Sequence, residues 1–113
     1  MLLPNAGVAE IDPLKLHGYL LSPTHPVGRF KARFFAALGY APERWQELEA
    51  DLRSQHLTQD AEPAEATGYG QLFRIRGILK GPNGQSAAVL RVWFIPAAGA
   101  PPRFVTAYPG DAK

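Results

Sequence analysis

Phe73-Arg74-Ile75-Arg76-Gly77-Ile78-Leu79-Lys80-Gly81-Pro82-Asn83-Gly84-Gln85-Ser86-Ala87-Ala88-Val89-Leu90-Arg91-Val92-Trp93-Phe94-Ile95 is where the chain changes period. Phe73, Ile75 and Leu79 alternate with Arg74, Arg76 and Lys80, imperfectly around Gly77, and alternation is the mark of a strand. Gly81-Pro82-Asn83-Gly84 is a strong turn signal between two apolar runs. The second run reads as a strand from about 85 to 95. Leu90, Val92 and Phe94 point one way, and Val89, Arg91, Trp93 and Ile95 the other. A loop over 96–102 leads to a last strand, Phe104-Val105-Thr106-Ala107-Tyr108, stopped by Pro109.

Upstream of this stretch the pattern is helical. Asp12 reads as an N-cap with Pro13 at the first helical position. Leu14, His17 and Leu21 then share a face. A second helix spans roughly 27 to 38. Phe30, Phe34 and Leu38 recur every fourth residue on it, and Gly39 reads as a left-handed C-cap. A third helix starts near Pro42 and frays near Gln55 or His56. Trp45, Leu48 and Leu52 mark its buried face, and acidic residues its other face. Residues 58–68 carry almost no large apolar side chain and read as an exposed linker. The expectation is a single α+β domain, with about three N-terminal helices (about 12–57) packed on a three- to four-stranded antiparallel meander (about 69–109). The helices are expected to cover one sheet face, leaving Arg91 and Trp93 on the other.

The 113 residues suffice for one domain with a modest core. Cysteine is absent, which removes disulfides, thiolate metal sites and thiol nucleophiles. No apolar run approaches the length of a membrane span, and the N-terminus lacks the basic and apolar regions of a signal peptide. A cytoplasmic location without membrane association is expected. Net charge is only +2, but its distribution is uneven. Acidic residues crowd positions 43–65, whereas Gly68 to Tyr108 holds Arg74, Arg76, Lys80, Arg91 and Arg103 and no acid. A basic face permits binding to RNA or another polyanion without requiring it.

The most informative functional stretch is Ser22-Pro23-Thr24-His25-Pro26-Val27-Gly28-Arg29-Phe30-Lys31-Ala32-Arg33-Phe34-Phe35. Pro23 and Pro26 stiffen a loop that opens a helix. Cations gather where the helix N-terminus offers free N–H groups, which suits a phosphate. A proline-rich cap followed by a solvated basic face explains the same residues with no function. His17, His25 and His56 have neither i,i+4 pairing nor ordered carboxylate companions, so no metal site is expected. No cofactor motif is present. What remains is His25, Arg29 and Lys31 from the loop–helix junction, with Arg91, Thr106 and Tyr108 from the sheet. Such a set suits phosphodiester transfer to a neighbouring hydroxyl. His25 would act as general acid or base, cations would stabilise the phosphorane, and Trp93 would stack on a base.

Several stretches resemble an uncharacterised family of small bacterial domains. They are Leu3-Pro4-Asn5-Ala6, Lys15-Leu16 with Tyr19-Leu20-Leu21, Pro23-Thr24-His25-Pro26-Val27-Gly28 with Lys31-Ala32 and Phe34-Phe35, Tyr69-Gly70, Gly81-Pro82-Asn83-Gly84, Val92-Trp93, and Arg103-Phe104-Val105-Thr106-Ala107-Tyr108-Pro109. The His-Pro-x-Gly-x-x-Lys-Ala motif is the most specific part. Similar domains stand at the C-terminal tips of filamentous haemagglutinin and contact-dependent inhibition toxins. By analogy of fold and context they resemble the barnase–EndoU–colicin–RelE superfamily of metal-independent ribonucleases. The resemblance implies catalytic roles for His25, Lys31, Thr106 and Tyr108, and an acidic antitoxin or immunity partner. Arg29, Arg91 and Trp93 are the candidates for holding substrate. The expectation is thus a toxin-like ribonuclease that cuts RNA without metal or cofactor. The alternative is a non-catalytic protein-interaction module working through the sheet face or the acidic helix.

Overall fold

A computed structural model describes residues 1–56 and 59–110, His56 through its backbone alone. The first helical stretch starts where Asp12 accepts a hydrogen bond from the Leu14 N–H at 3.0 Å, with Pro13 at the first helical position. Helix α1 (Pro13–Lys15) widens at once into a π-helical segment, Leu16–Leu20, closed by the Leu21 N–H on the Leu16 carbonyl at 2.9 Å. The wider turn re-aims the side chains. Leu16, Leu20 and Leu21 enter the core, while Leu14, expected there, is exposed.

Helix α2 (Gly28–Ala36) packs against that segment at close range. A Cβ at Gly28 would collide with the Tyr19 carbonyl, so only glycine permits this approach. The docking rotates α2 away from the expected face. Ala32, Phe35 and Leu38 are buried, whereas Phe30 turns outward and is 66% exposed. Gly39, with φ +98°, ends the helix as expected. Asn83 in the following hairpin then caps the exposed carbonyls, its side-chain amide donating to the Ala37 carbonyl at 3.0 Å. The third helical stretch is a 3₁₀ turn (Pro42–Arg44), helix α3 (Trp45–Asp51) and a π-helical segment (Leu52–His56). Leu48 and Leu52 are fully buried, as their spacing indicates.

The sheet has four antiparallel strands in sequence order. They are β1 (Ala61–Thr67), β2 (Gly70–Lys80), β3 (Ser86–Ile95) and β4 (Arg103–Pro109). Strand β1 corrects the expected linker over 58–68, of which residue 58 lies outside the described residues. The segment is exposed, but its backbone pairs with β2 from Ala61↔Ile75 to Thr67↔Gly70. An edge strand can form from backbone hydrogen bonds while burying almost nothing. Only Ala61 is buried, and Glu65 and Glu62 lie 3.6 and 4.0 Å from Arg74 and Arg76.

Faces are assigned by register. Phe73 lies opposite Trp93 and Ile75 opposite Arg91 on β2–β3, and Trp93 faces Phe104 and Arg91 faces Ala107 on β3–β4. Phe73, Ile75, Trp93, Phe104 and Ala107 belong to the core shared with Leu16, Leu20, Phe35, Leu48 and Leu52. Arg91 and Trp93 were expected on the face away from the helices, but both are fully buried on the helix side. Leu90, Val92 and Phe94 take the other face, where Leu90 is still buried. Both faces of β3 are rich in apolar residues, so alternation alone could not orient it.

Strand β4 carries a bulge. Val92 pairs with Thr106 but Trp93 with Phe104, which leaves Val105 as the extra residue. The bulge puts Phe104 and Ala107 together in the core and turns Thr106 and Tyr108 to the opposite face of the strand. No described helix is long and apolar enough to cross a membrane.

Candidate functional site

The site grows from the junction of the π-helical segment, the proline-rich loop, α2 and β4. Ser22 organises the loop by accepting from the Thr24 and His25 N–H groups at 3.3 and 3.2 Å. His25 then caps α2. Its Nδ1 accepts from the Val27 N–H at 3.0 Å and the Gly28 N–H at 2.9 Å. An imidazole nitrogen that accepts must be unprotonated, so the proton of neutral His25 sits on Nε2. In this arrangement Nε2 carries the ring's N–H, and no lone pair is free to act as a base. Protonating Nδ1 would set its N–H against two backbone donors and undo the cap.

The His25 ring stands edge-on to Tyr19, with centroids 4.9 Å apart. Tyr19 is held in turn by Lys31 on α2. Lys31 Nζ donates to Tyr19 Oη at 2.8 Å and to Thr106 Oγ1 at 2.7 Å, which ties the π segment, α2 and β4 through one ammonium. The same nitrogen lies 5.0 Å from the Tyr19 ring centroid and 5.3 Å from that of Tyr108. Lys15, one helical turn before Tyr19, donates to the carbonyl of the bulge residue Val105 at 3.3 Å. Asp12, Lys15, Tyr19, His25, Val105 and Thr106 line one open cleft.

This setting perturbs Tyr19. Burial alone would raise the phenol's pKa. Hydrogen bonding with Lys31 and Thr106, and the charges of Lys31 and Lys15, outweigh it, and the pKa falls below the ordinary 10.0. The Tyr19 oxygen accepts from Lys31, and Tyr19 lines the cleft.

Of the residues singled out in the sequence, the fold brings together His25, Lys31, Thr106 and Tyr108, the last through its ring rather than its hydroxyl. The other three lie elsewhere. Arg29 points to the far flank of α2, where Nη1 donates to the Pro26 carbonyl at 2.7 Å and the guanidinium lies 4.5 Å from the Phe30 ring centroid. Trp93 is sealed in the core against Phe104, closed to any base. Arg91 is also inside, with no hydrogen-bond partner for its three nitrogens among the described residues. Its burial pushes the guanidinium's pKa well below its usual value. No phosphate can reach it.

Two residues of the cleft, Tyr19 and Lys15, escaped the sequence reading, which gave that helix to the core. Their i,i+4 spacing was the available signal, together with their place among the positions that carry the resemblance. Among the described residues, no three His, Asp or Glu side chains are grouped to hold a metal ion. Comparison with curated proteins and with solved structures gives no match. A family model described as "Domain of unknown function (DUF6883)" matches residues 2–111. That match spans nearly the whole chain, which therefore belongs to the DUF6883 domain family.

Proposed function

We propose that this domain is a toxin-like ribonuclease that cleaves RNA without a metal, by transfer of the phosphodiester to the neighbouring 2′-hydroxyl. The observation that carries the reading is the Lys31 ammonium, held between Tyr19 Oη and Thr106 Oγ1 beside a cleft that Lys15 and His25 also line. Tyr19, as phenolate paired with Lys31, takes the 2′-OH proton. The 2′-oxygen attacks phosphorus and the bond to the 5′-oxygen breaks. Lys15 supplies the proton to that leaving oxygen. Lys31 and the Nε2–H of His25 stabilise the charge on the phosphorane oxygens. Thr106 fixes Lys31, and Tyr108 walls it. The products are a 2′,3′-cyclic phosphate and a 5′-hydroxyl. His25 thus moves from general acid–base to donor, because its Nδ1 is spent on the helix cap.

An RNA substrate fits action in a cytoplasm, and a basic cleft fits an acidic antitoxin or immunity protein as a neutralising partner. A non-catalytic module working through the acidic helix draws less support. Glu47 and Glu49 are engaged by Arg44 and Arg53 at 3.3 and 3.1 Å, and Asp51 accepts from Tyr40 at 2.6 Å.

The test is incubation with total RNA and tRNA in EDTA. Parent protein should leave cyclic phosphate ends, and Tyr19→Phe and Lys31→Met should each lose about 100-fold or more in rate. Absence of cleavage by folded parent protein refutes the proposal.

A further inference from the structure

The other flank of α2 takes no part in that reaction. A groove runs there between α2 and the 40–43 segment, its lining including Leu21, Arg29, Phe30, Arg33, Tyr40 and Glu43. Phe30 is 66% exposed at this groove, an unusual cost for a large aromatic on a helix whose other two aromatics, Phe34 and Phe35, pack inward. Its ring is not bare. The Arg29 guanidinium lies 4.5 Å from the centroid, and the Pro26 carbonyl anchors that guanidinium at 2.7 Å. Among the described residues neither Arg29 nor Arg33 takes part in an ion pair. The groove therefore offers an anchored planar cation, an open aromatic face and a second cation, against one carboxylate at Glu43.

We infer that this groove is a base-stacking subsite for single-stranded RNA, beside the scissile phosphate. Three features select that occupant. Aromatic and guanidinium planes are the surfaces on which unpaired bases stack. Arg29 and Arg33 supply charge for the backbone that joins stacked bases. Phe30 and Lys31 are adjacent in sequence, so the two sites flank the first turns of one helix. A strand crossing α2 would place a phosphate at Lys31 and a nearby base on Phe30. A duplex, with its bases already stacked and paired, could not use this platform. The inference takes its substrate from the ribonuclease reading, but it concerns binding and not chemistry.

The test measures binding by fluorescence anisotropy, with two labelled probes that resist cleavage. One is a 2′-O-methyl hexanucleotide of mixed sequence, and the other is a backbone of the same length without bases. Phe30→Ala should weaken binding of the hexanucleotide by at least about five-fold and leave the abasic probe unchanged, as expected for loss of one stacked base. Phe30→Trp should retain the parent affinity. Arg33→Ala should weaken both probes and flatten the salt dependence. Phe30→Ala binding the hexanucleotide like the parent overturns the inference, as does parent protein that binds neither probe, a result that leaves a protein partner for the groove. Parent protein that binds with this pattern but never cleaves RNA sinks the reaction and leaves the subsite standing. Cleavage that persists with Phe30 irrelevant to binding does the reverse.

Discussion

Two substitutions at His25 separate its structural role from its chemical one. His25→Ala removes the acceptor for the Val27 and Gly28 N–H groups and the ring that rests on Tyr19. The two donors are not equivalent. Val27 is exposed, so water can replace Nδ1 there, whereas Gly28 is buried against the Tyr19 backbone. One stranded buried donor costs about 1–3 kcal/mol, and loss of a helix cap about 0.5–2 kcal/mol. These describe the same event, so the expected loss is about 1–2 kcal/mol. For a domain of this size that lowers Tm by about 4–8 °C. His25→Asn keeps a side-chain acceptor at the cap but has nothing at the position of Nε2. It should recover at least half of the lost stability and none of the lost cleavage. Urea and thermal unfolding followed by circular dichroism measure the first effect, and the RNA assay the second. If His25→Ala unfolds at the parent temperature, Nδ1 is not the cap and the tautomer assignment fails with it. If His25→Asn cleaves RNA at the parent rate, Nε2 has no role in the site.

Tyr19 should ionise below the ordinary phenol range, seen as a tyrosinate absorbance step present in parent protein and missing in Tyr19→Phe. The lowered folded-state pKa means that this group adds stability above its unfolded pKa, near 10, and that the gain fades as pH falls through the lower folded value. Cleavage should rise with pH along a limb centred below 10, and a limb unchanged in Lys31→Met would refute the Lys31–Tyr19 coupling. Gly28→Ala drives a Cβ into the Tyr19 carbonyl, so it should destabilise by about 3 kcal/mol or more, as overpacking against fixed backbone does; a variant within experimental error of the parent would refute the close approach. Arg91→Met removes a buried guanidinium that has no hydrogen-bond partner among the described residues and only the Trp93 ring, its centroid 6.0 Å away, to offset its charge, and it should stabilise the fold by about 1–4 kcal/mol in urea titration, with RNA cleavage unchanged. A destabilised Arg91→Met would mean that this charge is satisfied in solution.

Much of the framework was legible because it rests on local rules. Asp12-Pro13 starts a helix, Gly39 stops one, and Gly81-Pro82-Asn83-Gly84 turns a hairpin, each through backbone chemistry of neighbouring residues. Strand β1 is not legible in the sequence because nearly all its side chains are exposed, and an edge strand needs only its backbone. The site was half legible. His25 and Lys31 announce themselves as polar residues in a rigid loop and on a helix start, and the resemblance points to Thr106 and Tyr108.

The sequence by itself determined the order of the helices and of the last three strands, the hairpin turn at 81–84 and the polar residues at the loop–helix junction, all governed by interactions within a few residues. Only the tertiary structure decided the faces. The π-helical turn at Leu16–Leu20 turned Leu14 out and brought Tyr19 and Lys15 to the cleft. The Gly28–Tyr19 contact rotated Phe30 to solvent, and the Val105 bulge sent Thr106 to Lys31. Core packing took Arg91 and Trp93 inside, because alternation groups them with Val89 and Ile95 but does not say which face of β3 meets the helices. These shifts are small along the chain, a single residue of register or one widened turn. Each moves side chains to another face, and the energy that selects them comes from contacts between residues distant in sequence.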